Sequence, residues 1–105
     1  MSKKRDRTLR REAVRDAGKL AEAREKLARL EPGGSAECPI RVESASQVEL
    51  RVESLRCPRC DGELRVHEHA ARMVAGHPRR VVDARCKRCG RSREVWLTID
   101  PAHLH

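Results

Sequence analysis

Two cysteine pairs are the part of this sequence best suited to chemistry. The first pair lies in CPRCDGELRV, residues 57–66, and the second in CKRCGRSREV, residues 86–95. Two intervening residues allow a tight turn to direct both sulfurs toward one point, and a glycine after the turn permits a positive φ. Two such turns facing each other would make a closed tetrahedral site of four sulfurs. The predicted metal ligands are Cys57, Cys60, Cys86 and Cys89.

The type of ligand narrows the choice of metal. Zn²⁺ fits a four-thiolate site, with Zn–S distances of about 2.3 Å, and one structural zinc ion is the expected cofactor. Iron remains an alternative, because ligand softness and geometry admit either metal. Free or disulfide-bonded thiols are a further alternative, which the doubled motif and an expected reducing environment disfavour. Four thiolates leave no position open for water, so a catalytic metal is not expected.

The other potential metal ligands are Cys38 and five histidines. We expect Cys38 to be a small buried or half-buried hydrophobic residue, the alternative being a thiol made reactive by nearby arginine. The histidines form no pattern with carboxylates, so surface positions are expected for them rather than a second metal site.

Alternating apolar and charged residues predict the strands that position the cysteine turns. Val48, Leu50 and Val52 alternate with charged residues in the segment 48–57, which predicts a half-buried strand leading into the first pair. The same criteria predict a strand containing Leu64 and Val66, strands over 79–86 and 93–99, a turn over 74–78, and an edge strand near 38–42. Gly90 directly follows the second pair, whereas Asp61 precedes Gly62 after the first, so the first turn is expected to differ slightly.

A basic amphipathic helix is predicted over residues 6–31. Good helix formers dominate the segment, and the sequence PGGS at 32–35 ends it. Its apolar stripe consists of leucines and alanines at three- and four-residue spacing, and the charge of Asp16 interrupts it. We expect this helix to contact a protein partner or a second copy of the chain, because the small ribbon leaves little surface to cover the stripe.

Residues 48–99 resemble the zinc-ribbon family, in which two cysteine-bearing hairpin turns bind one metal. Their predicted order is strand, CxxC, strand, turn, strand, CxxC, strand. The resemblance implies no functional residue beyond the four cysteines, because zinc ribbons occur as parts of many kinds of protein. The rubredoxin family also uses two CxxC turns, but the resemblance to it is poor because that family has an aromatic core, which this chain lacks. The predicted fold class is small α+β, an N-terminal α-helix followed by an antiparallel β zinc ribbon. The predicted domains are 1–31, a basic amphipathic helix; 32–47, a linker with an edge strand; and 48–105, a zinc-ribbon domain.

Composition agrees with a metal-stabilised fold. The 105 residues include one Trp and no Phe or Tyr, and 38% are charged, so a metal, disulfide or partner is expected to supplement a small core.

No apolar run approaches the roughly 20 residues needed to cross a bilayer. The basic N-terminus lacks the apolar region of a secretory signal, so a cytoplasmic location without membrane contact is expected.

The formal charge of +8 predicts attraction to polyanions. The first hypothesis is a non-enzymatic module that binds nucleic acid or a ribonucleoprotein or transcription complex through a basic surface. Its expected contacts lie on or beside the cysteine turns: Arg59, Lys87, Arg88, Arg91 and Arg93. The second is a protein–protein adaptor or assembly subunit that uses the helix for docking or dimerisation. An enzyme is not expected, because the sequence has no glycine-rich phosphate loop, no supported nucleophile–base pair and no open metal site.

Overall fold

Helices and strands occupy most of residues 6–101, which are the residues that the computed structural model describes. The elements are α1 (Asp6–Leu30), β1 (Ile40–Val42), α2 (Ser46–Glu53), β2 (Leu64–Val74), β3 (His77–Cys86) and β4 (Ser92–Ile99). The strands form one open sheet in the order β1-β4-β3-β2. The predicted small α+β class is therefore confirmed.

The sheet is mixed rather than antiparallel throughout. β2 pairs antiparallel with β3, and β3 pairs antiparallel with β4. β1 pairs parallel with β4, with Ile40 opposite Leu97 and Val42 opposite Ile99. β1 is joined to β4 through all the intervening elements, so no hairpin dictates an antiparallel direction for it. β1 lies at the edge of the sheet, as the proline before it predicts.

A tight turn between β2 and β3 confirms the predicted hairpin. Val74 pairs with His77, and the two residues between them have positive φ values, 51° at Ala75 and 80° at Gly76. Two central residues with positive φ match the right-handed twist of an antiparallel pair. The long β2–β3 pairing then continues to Leu64 and Cys86, at the cysteine end of the sheet.

The core lies between α2 and one face of the sheet. Val48 and Val52 of α2 are fully buried, as are Val82 of β3 and Leu97 of β4. The same apolar cluster includes Cys57 and Cys86. The hydrophobic core is therefore continuous with the cysteine turns, and any ion held there is part of the interior packing.

The strand predicted at the start of 48–57 is wrong, because residues Ser46–Glu53 form α2. Val48 and Val52 are four residues apart, a spacing that fits one helix face as well as one strand face. Leu50 distinguishes the two structures, and its side chain is 69% exposed on the side away from the sheet. At the start of the helix the backbone N–H of Glu43 donates to Oε1 of Gln47 at 2.7 Å.

Alanine substitutions in α2 provide a direct test of this packing. We expect Val52→Ala to lower the free energy of unfolding by about 2 kcal/mol, because it removes buried methyl groups and leaves a cavity. Leu50→Ala is the matched control and should change stability by less than about 0.5 kcal/mol, since an exposed side chain loses little packing. Urea denaturation followed by circular dichroism measures both values. Equal losses at the two positions would contradict the helix.

α1 is attached to the sheet mainly through its last turns. Ala28 is the buried apolar residue of α1, whereas Leu9, Leu20 and Leu27 are 49%, 54% and 60% exposed. A Cβ at Gly34 would collide with the carbonyl oxygen of Ala28, so only glycine allows the following loop to cross the helix so closely. The molecule measures 71 × 24 × 23 Å. Neither α1 nor α2 is long and apolar enough to span a membrane, which holds for all helices within residues 6–101.

Candidate metal centre

Strand pairing brings the two cysteine turns side by side. The first cysteine turn, residues 57–62, precedes β2, and the second cysteine turn, residues 86–91, connects β3 to β4. Leu64 at the start of β2 pairs with Cys86 at the end of β3. The backbone N–H of Lys87 also donates to the carbonyl of Glu63 at 2.9 Å. The antiparallel register therefore places two sequence-distant turns at one end of the sheet.

The two turns have the same backbone structure, contrary to the expected difference in the first. Asp61 N–H donates to the Cys57 carbonyl at 2.8 Å, and Gly90 N–H donates to the Cys86 carbonyl at 3.0 Å. Asp61 and Gly90 occupy equivalent positions with positive φ values of 61° and 75°. Aspartate tolerates this conformation better than most residues, so it replaces glycine at the position after the second cysteine.

The four predicted ligands converge as a metal site requires. Their sulfurs all lie within 4.8 Å of one another, with separations of 3.8 Å for Cys57–Cys89 and 3.3 Å for Cys60–Cys86. A tetrahedral ion with metal–sulfur bonds of about 2.3 Å places its sulfurs about 3.8 Å apart. Small adjustments would therefore allow the four sulfurs to hold one metal ion, and four cysteine thiolates are a suitable donor set for such an ion.

Backbone N–H groups and burial act in opposite directions on the thiols. The N–H groups of Arg88 and Cys89 face Cys86 Sγ at 3.3 and 3.4 Å. The donation from Cys89 is the main cause that lowers the pKa of Cys86 to about 6. Burial raises the pKa of Cys57. The backbone therefore stabilises the thiolate form of Cys86, whereas a cation would offset the desolvation of Cys57.

The space between the turns admits no side chain at Gly62. A Cβ there would lie 2.6 Å from Cys86 Sγ and 2.9 Å from the Cβ of Arg88. Real Cβ atoms do not approach other atoms this closely, so Gly62 is required for the second turn to lie against the first. The sequence pointed to Gly62 as a source of backbone freedom, but its role here is to provide space.

Glu25 of α1 is a structural residue of this site that the sequence did not reveal. Its Oε1 atom lies 3.3 Å from Nη1 of Arg59 on the first turn and 3.0 Å from Nε of Arg91 on the second. The Glu25 side chain is only 14% exposed, so this carboxylate is partly desolvated and held by two cations. One residue of α1 thus links the helix to both cysteine turns.

The remaining predicted contact residues lie around the same turns. Lys87 Nζ is 3.0 Å from Oε2 of Glu63, and Arg88 Nη1 donates to the Cys60 carbonyl at 3.2 Å. Arg93 is half-buried, and burial lowers its pKa, with partial compensation from the charges of Cys57 and Glu31. All five basic residues therefore surround the cysteine cluster, and their charges offset those of its thiolates.

Glu25→Gln tests the link between α1 and the turns. We expect a loss of about 1 kcal/mol in the free energy of unfolding, because the two arginines lose the negative charge of their shared acceptor. Thermal denaturation of the metal-loaded protein measures this loss. Glu22→Gln is the matched control, since Glu22 is an exposed carboxylate on the same helix. Equal stability of the two variants would show that the link contributes nothing.

The other potential ligands lie apart from the cluster. Cys38 is exposed, so the expected burial of this residue is wrong. Its N–H and carbonyl bond to Ser35 and Gly33 in the loop before β1, which turns the side chain outward. His67 and His77 are exposed as predicted, while His69 is half-buried beneath α2 with Nδ1 3.9 Å from Oε1 of Glu49. His103 and His105 lie outside the described residues.

The site is compatible with that of a zinc ribbon, since four cysteines on two adjacent turns converge on one point. Comparison with known proteins finds no matching family model, no similar curated protein and no similar solved structure. The interpretation of the site therefore depends on its own geometry.

Proposed function

We propose that the four clustered cysteines hold one structural Zn²⁺ and that the protein is a non-enzymatic zinc-ribbon module of the reducing cytoplasm. The convergence of four sulfurs within 4.8 Å supports this proposal. Their donors fill a tetrahedral shell and leave no position for water or substrate, so the metal serves folding rather than catalysis. Elemental analysis of the purified protein is expected to give about one zinc per chain, whereas a coloured protein containing iron would contradict the assignment.

We further propose that the metal-bearing end of the sheet binds the phosphate backbone of nucleic acid, alone or within a ribonucleoprotein or transcription complex. Five exposed basic residues lie there: Arg56, Arg65, Arg85, Lys87 and Arg88, the basic cluster. The carboxylates of Glu53, Asp61 and Glu63 lie beside them. The hydrogen bond from Lys87 is the main cause that lowers the pKa of Glu63, and the charges of Arg56 and Arg65 add to it. The five basic residues outnumber the three carboxylates and leave a net positive surface.

The register of the sheet is the observation that carries this proposal. Arg65 of β2 lies directly opposite Arg85 of β3. Like charges in directly opposed positions destabilise a sheet, and a bound phosphate would remove that cost. Farther along the same face, Glu68, Asp83 and Glu94 lie side by side on the three antiparallel strands. This acidic row would repel phosphates and confine the contact to the metal-bearing end.

Salt-dependent titration tests the nucleic-acid proposal. We expect Arg65→Gln, Arg85→Gln and Arg88→Gln each to lower the slope of log affinity against log salt by about one. The measurement is fluorescence anisotropy of a labelled single-stranded RNA and a duplex DNA of matched length at several salt concentrations. Arg41→Gln is the matched control, since Arg41 lies exposed on β1 at the other edge of the sheet and pairs with Asp100. Absence of any complex at low salt would contradict the proposal.

A second candidate function is a protein–protein adaptor or assembly subunit that docks through α1. The exposed leucines of α1 favour it, because nucleic acid offers no apolar surface to cover them. The two functions use different surfaces and are compatible.

A further inference from the structure

The apolar stripe of α1 has the spacing of a coiled-coil seam. Seven positions alternate at spacings of four and three residues, the repeat that keeps one face of a helix against a partner helix. These seam positions are Leu9, Ala13, Asp16, Leu20, Ala23, Leu27 and Leu30. All seven are exposed, with Leu30 the most exposed leucine at 79%.

The seam points away from the face that attaches α1 to the sheet. The attaching residues are Ala28, which is buried, and Glu25, which bonds to Arg59 and Arg91. At 3.6 residues per turn these two positions lie roughly 110° and 170° around the helix from the centre of the seam. The contacts that position α1 therefore leave its leucines free, and folding of the chain alone does not cover them.

The charges beside the seam indicate what kind of helix would cover it. The positions flanking the seam carry four basic residues, Arg10, Lys19, Arg24 and Lys26, and two acidic ones, Glu12 and Glu31. Residues at these flanking positions meet their counterparts on the partner helix and select partners by charge. A net positive pair of flanks favours a partner whose own flanks are acidic.

A second copy of this chain fits the seam poorly. Two copies would bring together flanks with the same basic excess, and residues 1–31 carry 11 basic against 6 acidic residues. Of those acidic residues, Glu25 already bonds to two arginines of its own chain. Nucleic acid would neutralise the basic flanks but would leave the leucines in water.

We infer that the seam of α1 binds an acidic amphipathic helix of a protein partner. This inference rests on the adaptor candidate above and assigns the chemistry of its partner. Leucines of the two helices pack together, and acidic flanks of the partner pair with Arg10, Lys19, Arg24 and Lys26. Asp16 occupies one seam position, where a charged residue lowers affinity and fixes the register of the helices. Val14 is also exposed but lies off the seam.

Two synthetic peptides of equal length provide the probes. Both have leucine at every seam position; the acidic peptide has glutamate at every flanking position, and the basic peptide has lysine. Isothermal titration of the full chain should show binding of the acidic peptide that is at least about tenfold tighter than binding of the basic one, with an affinity that falls as salt is added. Equal binding of the two peptides, or no binding of either, would overturn the inference.

Substitutions separate the seam from the rest of the helix. Leu20→Gln combined with Leu27→Gln should weaken binding of the acidic peptide at least about tenfold, because glutamine preserves helix formation and removes the apolar contact. Val14→Gln is the matched control and should retain the affinity, and metal content confirms that each variant is folded.

Sedimentation of the chain alone should give a monomer; a dimer abolished by the Leu20 and Leu27 substitutions would instead assign the seam to a second copy. Arg65→Gln and Arg85→Gln should leave peptide binding unchanged, which distinguishes this result from failure of the nucleic-acid proposal.

Discussion

Cys86→Ser is expected to unfold the sheet and abolish stoichiometric metal binding. Cys86 is 3% exposed and belongs to the apolar cluster that α2 and the sheet share, so its sulfur would link a bound metal to the core. Binding of a structural zinc contributes ~10 kcal/mol or more to folding, comparable with the entire stability of an ordinary small domain. Circular dichroism should show loss of the sheet, and elemental analysis should give far less than one metal per chain.

Cys38→Ser is the matched control for this variant. Cys38 is exposed and lies outside the cluster, so the same atomic change there should leave both metal content and the spectrum unaltered. A strong chelator should reproduce the effect of Cys86→Ser on the unaltered protein, and added zinc should reverse it. A chelated protein that keeps its native spectrum would show that the core folds without a metal.

Gly62→Ala is expected to lower metal affinity by about 10- to 100-fold, the range typical when residues that position the ligands are changed. The added methyl group would lie 2.6 Å from Cys86 Sγ, so the second cysteine turn must move away from the first. This movement separates sulfurs on the two turns without removing any ligand. Competition with a chromophoric zinc chelator measures the change.

Gly90→Ala distinguishes this steric effect from loss of backbone freedom. Gly90 has a φ of 75°, but a Cβ there would meet no atom within 4 Å. We therefore expect only the strain of a left-handed alanine, about 1 kcal/mol, and less than a tenfold loss of metal affinity. If Gly90→Ala weakened binding as much as Gly62→Ala, contact between the turns would not be the cause.

The cluster of four cysteines could be predicted from the sequence because each CxxC pair is a local arrangement. Two residues between cysteines fix a turn whatever the remainder of the chain does, and the long hairpin then aligns the turns. The strands β2, β3 and β4 were also visible, since β2 begins and β3 ends with alternating apolar and charged residues and β4 contains a short apolar run. The prediction of an antiparallel sheet was wrong for β1, because the direction of this strand depends on its contact with β4, which lies far along the chain.

Residues with non-local roles could not be identified from the sequence. Val48 and Val52 satisfy both helix and strand periods, and the alternation of Leu50 with charged residues favoured the strand that the structure does not contain. Glu25 looked like an ordinary helix-surface carboxylate, because its partners Arg59 and Arg91 are more than thirty residues away in the chain. Exposure of Cys38 depends instead on local hydrogen bonds to Ser35 and Gly33, which the residue types of that loop did not reveal.

The irregularity within β2 has a consequence for how the protein behaves at high concentration. β2 is the outermost strand on one side of the sheet, and its pairing with β3 shifts register between Val66 and Glu68. A long, regular edge strand would offer unpaired backbone N–H and C=O groups to which strands of neighbouring molecules could add. A β-bulge interrupts such strand addition. The opposite border is β1, whose three residues are too few to nucleate a fibril. We therefore expect the folded protein to resist amyloid-like growth from either border.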